Sequence, residues 1–264
     1  MTDTGGAATL PVAAPPLAGA VMMRQHWCDV AFLHWAVDPA RVAPHLPPGT
    51  EPDVLDGRSH VGLIPFRLVG LGAARGPALP WLGTFWETNV RLYSRDAAGR
   101  RGVVFASLDA SRLGAVAAAR AAFGLPYRWA RMRRAERVRD GARELAWTAR
   151  TRWPGPRGVR SRIAVRVGGE LPADAPDAAL AHFVTARFGL HVAHAGRTWW
   201  IANEHEPWPL RRAQVLALED AGPAPAGGGP LAAAGFGDLA GRAPDSALFA
   251  HRVTTRFALP RALG

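Results

Sequence analysis

The sequence predicts an α+β protein: a curved or closed, largely antiparallel sheet with a few short helices. Three observations predict it. Period-two alternation recurs along most of the chain, punctuated by Gly, Pro and Asp-Gly. Helix start and stop signals occur in only three segments. In the stretch GTFWETNVRLYS, at 83–94, a polar row faces one way and an apolar row the other. Phe85, Glu87, Asn89, Arg91 and Tyr93 form the first row, and Trp86, Thr88, Val90 and Leu92 the second. A carboxylate, an amide, a guanidinium and a phenol on one strand face either meet water or line a polar cavity.

The elements follow in order. VDPARVAPHLPPG, at 37–49, begins with Asp38 as N-cap and Pro39 at the first helical position, and Pro47-Pro48-Gly49 ends it. VLDGRSHVGLIPFRLVGL, at 54–71, holds an Asp56-Gly57 hairpin turn between strand-like runs. After the strand at 83–94, GVVFASLDA is another strand. It leads into SRLGAVAAARAAFG, whose small residues predict a buried helix capped by Asp109 or Ser111 and ended by Gly124. From Tyr127 to Trp153, two alternating arms flank Asp140-Gly141. VRSRIAVRV then sets Val159, Ser161, Ile163, Val165 and Val167 against Arg160, Arg162 and Arg166, a pattern suited to a solvated outer face.

A helix with Asp174 or Asp177 at its start and Gly189 at its end is expected in ADAPDAALAHFVTARFG. Both longer helices close on Phe-Gly-Leu, at 123–125 and 188–190. The pattern fits a remnant of duplication or a shared way of capping a helix. RTWWIANEHEPWPLRRAQVLAL, a Gly/Pro/Ala loop at 221–235 and a last strand near HRVTTRFAL complete the chain. No linker interrupts it, so residues 21–264 are expected to form one domain behind a disordered leader at 1–20.

Composition narrows the functional classes. With 48% hydrophobic and 20% charged residues over 264 positions, the chain can bury a substantial core. Cys28 is the single cysteine, so no internal disulfide forms, which suits a reducing compartment. No apolar run reaches the ~20 residues of a membrane span, and the Pro-broken N-terminus lacks the basic start of a signal peptide. A cytoplasmic location is expected. The net charge of +11 comes entirely from arginine, since the chain has no lysine. Abundant Ala, Gly, Pro and Arg without Lys is the signature of GC-rich coding. With no helix-turn-helix, finger or RNA-recognition pattern beside it, the charge does not imply specific nucleic-acid binding.

Familiar catalytic signatures are absent: no phosphate loop, dinucleotide fingerprint, Cys-x-x-Cys or Gly-x-Ser-x-Gly elbow. His191 and His194 lack a third metal ligand nearby, and Cys28 beside His26 fits packing better than nucleophilic chemistry. No metal and no cofactor are expected. The candidates left are the 85–93 face, the segment after the first long helix, and HEPWPL. In FGLPYRWARM, Leu125-Pro126 makes a rigid exit from which Tyr127 and Arg128 emerge to opposite sides. In HEPWPL two prolines stiffen a loop around Trp208, with His205 at its mouth.

Seven segments in order carry a resemblance: HWAVDP, PPGTEPDVLDG, VGLIPFRL, ETNVRLY, SLDAS, FGLPYRWARM and EPWPL. Together, over residues 22–258, they resemble the DUF2071 (YqjF) family of uncharacterised bacterial proteins. That family is related in turn to acetoacetate decarboxylase. The resemblance implies a curved antiparallel sheet closing into a barrel or cone around a buried acidic-substrate pocket, on a scaffold where homo-oligomers are common. It carries no activity of its own. By the more distant relation, Glu87 in Phe85-Trp86-Glu87 takes the place of a pocket carboxylate, and a second pocket glutamate falls near Ile64. The decarboxylase's Pro-Lys-Lys becomes Pro126-Tyr127-Arg128. Imine formation needs a neutral primary amine, which a phenol or guanidinium does not supply. A chain without lysine therefore does not run Schiff-base decarboxylation.

Two functional readings remain level. In one, a small carboxylate or oxo-acid is held by Arg128 or Arg91, with Asn89, His205 and Trp208 around it. Glu87 then acts as general acid/base and Tyr127 as a hydrogen-bond donor. In the other, the same pocket binds or senses its ligand without turnover. A third reading, a basic surface for nucleic acid or anionic membrane, ranks last. The spacing of Glu87 and Arg91, about 13 Å along an ideal strand, favours separate partners for each.

Overall fold

The computed structural model describes residues 11–155, 157–221 and 228–264. The expected leader therefore lies outside the described residues over 1–10, and the Gly/Pro/Ala loop over 222–227. The strands are β1 (Val21–Val37), β2 (Thr50–Pro52), β3 (Ser59–Ala73), β4 (Phe85–Asp96), β5 (Arg101–Ala110) and β6 (Tyr127–Arg139). They continue with β7 (Ala142–Trp153), β8 (Arg160–Glu170), β9 (Gly189–His194), β10 (Arg197–His205), β11 (Arg211–Ala221), β12 (Ser246–Ala258) and β13 (Arg261–Ala262). The helices are α1 (Pro39–Val42), α2 (Leu113–Phe123), α3 (Ala178–Thr185) and α4 (Pro230–Ala233).

All described strands join one sheet in the order β13-β10-β9-β5-β6-β7-β8-β11-β12-β1-β3-β4-β2. Two further pairings, β4–β5 and β10–β12, return the ladder to itself twice. One circuit runs from β5 through β6, β7, β8, β11, β12, β1, β3 and β4 back to β5. The other reaches β12 through β9 and β10. Both share the wall β12-β1-β3-β4-β5. Pairing is antiparallel except where β5 runs parallel to β6 and β9.

The shared wall explains β4. Its apolar row meets a core of Leu33, Trp35, Leu63, Leu145, Trp147 and Ile163, in which Val90 and Leu92 are fully buried. Its polar row faces the other circuit and is buried as well: Glu87 is 3% exposed and Arg91 8%. From Glu87 to Tyr93 neither face meets bulk water.

Local rules account for most boundaries. The Asp38 side chain accepts from the Ala40 amide and starts α1, which runs on into a 3-10 turn at Ala43–His45. Asp140 and Gly141 both hold positive φ, at 52° and 73°, as a tight hairpin between β6 and β7 requires. Asp56 and Gly57 do the same, but only Leu55 and Arg58 pair before the turn. On β8 the expected faces are found. Ser161, Ile163, Val165 and Val167 are buried, while Arg162 reaches Glu219, and Arg166 joins Arg137 on Glu144.

The two longer helices depart from expectation. The first long helix, α2, is not buried: Val116 is its one buried residue among the described ones, and α2 lies across the cavity described below. Neither Asp109 nor Ser111 caps it. Arg112 holds the N-cap without a side-chain bond, Asp109 pairs with Arg128, and Ser111 accepts from the Trp86 amide. The second, α3, stops at Thr185, short of Gly189; Asp177 does hold its N-cap position, as expected, but its side chain pairs with Arg212 and makes no capping bond. The two Phe-Gly-Leu segments accordingly differ. Gly124 caps α2 in the left-handed region, φ 65°, whereas Gly189 begins β9 beneath the indole of Trp200, where a Cβ would overlap the ring. Close packing of a strand on an aromatic ring, not a repeated cap, requires the second glycine.

Candidate functional site

A cavity of about 270 Å³ lies between the shared wall, α2 and the 205–208 loop. Strand alternation places Glu87, Asn89 and Arg91 in it at successive positions, and Tyr127 enters from the start of β6. Most of the rest is apolar, including Trp27, Phe32, Ile64, Phe66, Phe105 and Trp208.

The Tyr127 hydroxyl donates to Glu87 Oε2 across 2.8 Å, and Asn89 Nδ2 lies 3.5 Å from Oε1. Burial dominates and pushes the Glu87 carboxyl up to about 7, the bonds from Tyr127 and Asn89 opposing it. Tyr127 moves well above the ordinary phenol range, through burial first and the Glu87 charge second, and so stays protonated. A carboxyl titrating near neutrality beside a fixed phenol donor can hold or release a proton at physiological pH. Asn89 Oδ1 is buried with no partner among the described residues.

Arg91 turns away from Glu87. Its Nε donates to the Tyr93 hydroxyl at 3.0 Å and its Nη2 to the Val184 carbonyl at 2.7 Å, with Phe32 beneath the guanidinium. The Tyr93 hydroxyl donates to Val184 O, at 3.0 Å, and lies 2.6 Å from His34 Nε2. With its proton committed to the carbonyl, the hydroxyl accepts from both Arg91 and His34. Burial and the nearby Arg91 charge hold His34 well below the usual imidazole range, so it is neutral. Among the described residues Arg91 has no carboxylate partner.

The structure separates Arg128 from this group. Arg128 Nε bonds Asp109 Oδ1 at 2.6 Å on the other side of the wall, and Arg128 does not line the cavity. Arg128, expected to seat a ligand carboxylate, is not brought to this cavity, for a simple reason. Adjacent strand residues face opposite ways, so Tyr127 in the cavity puts Arg128 outside it. His205 and Trp208 do line the cavity, as wall. His205 Nδ1 donates to the Glu206 carbonyl at 2.7 Å, and Trp208 stacks on Trp27 with ring centroids 5.8 Å apart. Ile64, near which a second carboxylate was expected, is an apolar wall residue.

Sequence reasoning missed Arg187 and Gln25, which also line the cavity. Arg187 is paired with Asp53, and burial lowers its guanidinium to about 10. An arginine shortly after an apolar helix is its only sequence signal, and nothing in the local pattern sets it apart from the many exposed arginines of this chain. The other early candidates do not assemble. Cys28 is half-buried, its thiol raised by burial. His191 bonds Ser94 and Asp96, a chain with the connectivity of a nucleophile relay, yet Ser94 is fully buried and is not among the residues lining the cavity. Among the described residues no group of His, Cys, Asp and Glu could hold a metal, and no helix is long and apolar enough to cross a membrane.

Comparison with known proteins adds three findings. The DUF2071 family model, described as an uncharacterized conserved protein, matches residues 24–253. The uncharacterized protein YqjF of Bacillus subtilis (strain 168) is 30% identical over 201 residues, covering 75% of this chain and 78% of that protein. Solved structures share the fold at low identity. An acetoacetate decarboxylase-like enzyme from Sphingomonas wittichii RW1 aligns with a TM-score of 0.61 at 13% identity, covering 95% of this chain and 98% of the other. The enduracididine biosynthesis enzyme MppR complexed with pyruvate aligns with a TM-score of 0.56 at 15% identity, covering 94% and 92%.

Proposed function

The chain belongs to the DUF2071 family, and on that footing we propose that its cavity binds a small molecule carrying a carboxylate or oxo-acid group. One observation carries this reading. Arg91 is a guanidinium buried against the cavity without an acidic partner, whereas Arg128 and Arg187 are each matched by an aspartate. A buried, unpaired cation is costly, and an anionic ligand is the natural compensation. The pyruvate in the MppR complex makes an oxo-acid a reasonable class to try first.

In the catalytic form of the proposal, Arg91 holds the ligand carboxylate, Glu87 moves a proton next to a carbonyl, and Tyr127 donates to the oxygen that gains charge. No covalent imine forms, because the chain has no lysine. A second form, binding or sensing without turnover, is favoured by one observation: Tyr127 and Asn89 already satisfy Glu87 within the protein. In either form the reading takes residues 21–264 as one cytoplasmic unit behind a leader at 1–20, with the strand circuit acting as a barrel around the ligand.

The test is calorimetric titration of 2-oxo and 3-oxo carboxylates against wild type, Arg91→Met and Glu87→Gln, with product analysis on every compound that binds. Binding to wild type and Glu87→Gln but not to Arg91→Met supports the anion seat. Product from wild type alone supports catalysis. Binding without product in any form supports the sensing version. Equal binding by wild type and Arg91→Met overturns the proposal.

A further inference from the structure

Resting on the reading that Arg91 seats a carboxylate, we infer that the ligand is an amphipathic monocarboxylate with a medium-length apolar body, not a two- to four-carbon oxo-acid. Three features of the cavity carry this. The anion seat and the acid stand apart: Arg91 and Glu87 are four residues apart on β4, about 13 Å along the strand. Arg91 is also anchored to Tyr93 and Val184, on the side away from Glu87. A three-carbon acid seated on Arg91 is too short to span that distance and leaves the rest of the cavity unfilled.

Asn89 lies between them on β4, but most of the wall around these groups is aliphatic and aromatic: Trp27 and Phe32 on β1, Ile64 and Phe66 on β3, and Phe105 on β5. Beyond Glu87 the cavity continues past Phe85 to α2, where Ala118 offers no polar group. A ligand polar along its whole length would lose hydration there without compensation, whereas a methylene chain gains by entering. Volume sets the size. A cavity of about 270 Å³ is more than a two- to four-carbon acid fills, and it leaves room for an apolar body of several carbons, straight or ending in a ring.

A titration series of straight-chain monocarboxylates from acetate to decanoate, at fixed pH and salt, tests this. Affinity is expected to rise about fourfold per methylene and to level off or fall once the cavity is full. Ala118→Phe, on a largely exposed helix, would fill the outer end without touching the strands. It is expected to weaken the longest acids at least tenfold and leave the shortest unchanged. Flat affinity along the series, or tighter binding of pyruvate and acetoacetate than of octanoate, overturns the inference while leaving the carboxylate seat standing. Failure of every acid to bind, or equal binding of octanoate and octanol, overturns the seat itself and the inference with it.

Discussion

Tyr127 and Glu87 meet across 2.8 Å although 40 residues separate them, and β5 lies between their strands in the sheet. The phenol is fixed by the rigid Leu125-Pro126 exit from α2 and the carboxyl by the alternation of β4. Their contact couples the start of β6 to the proton on the acid.

Glu87 makes stability depend on pH with a definite sign. Its folded value of about 7 lies above the ordinary 4.5. Between those values the folded protein keeps a proton that the unfolded chain has released. The stabilising contribution is therefore full below about 4.5 and lost as pH rises through about 7. The shift corresponds to roughly 3 kcal/mol. Glu87→Gln is expected to match wild type in urea unfolding near pH 4 and exceed it by about 2–3 kcal/mol at pH 8. A difference that does not grow with pH refutes the assignment.

Removing the phenol donor should move the acid further. The Tyr127 bond opposes the burial that raises Glu87, so Tyr127→Phe is expected to carry its titration above 7. Carbon-13 NMR of labelled glutamate, followed from pH 5 to 9, reads this directly. An unchanged midpoint would mean that the 2.8 Å bond is not made in solution.

Two buried arginines should respond in opposite ways. Arg128→Ala leaves Asp109 uncompensated and is expected to cost about 3–5 kcal/mol, with carboxylate affinity intact at temperatures where the variant remains folded. Arg91→Met is expected to lower that affinity by two to three orders of magnitude, the range for unpairing a buried charge. Thermal unfolding with and without octanoate separates the effects. Loss of affinity in Arg128→Ala alone would return the anion seat to the other side of the wall.

The two Phe-Gly-Leu glycines should fail for different reasons. In Gly189→Ala the added methyl falls on Trp200, with an expected cost of about 1–3 kcal/mol or more from overpacking. A second change, Trp200→Leu, is expected to recover much of it. Gly124→Ala places a side chain at φ 65°, a backbone strain that no change at Trp200 relieves. Chemical denaturation of the three single variants, and of Trp200→Leu combined with each glycine change, distinguishes the cases. Equal rescue of both would mean a shared origin.

The sequence by itself determined what local geometry controls. Period-two alternation carried β4, β8 and the β6–β7 hairpin. Asp-Gly pairs carried two turns, and Asp38-Pro39 carried the start of α1, because each depends on residues within a few positions. Composition alone excluded a lysine imine, since a residue absent from the sequence is absent from every fold. Parity even contained the fate of Arg128: a residue beside Tyr127 on a strand faces the other way. Tertiary structure decided which side of the wall is the cavity, that α2 covers it rather than filling a core, and that Asp109, paired with Arg128, caps nothing. It also decided that Arg91, of all the arginines, is the buried one left without an acid among the described residues. Alternation gives the side of a strand, but only closure of the sheet through β4–β5 and β10–β12 gives the side of the protein. The partners that neutralise a buried charge come from segments that no local pattern connects.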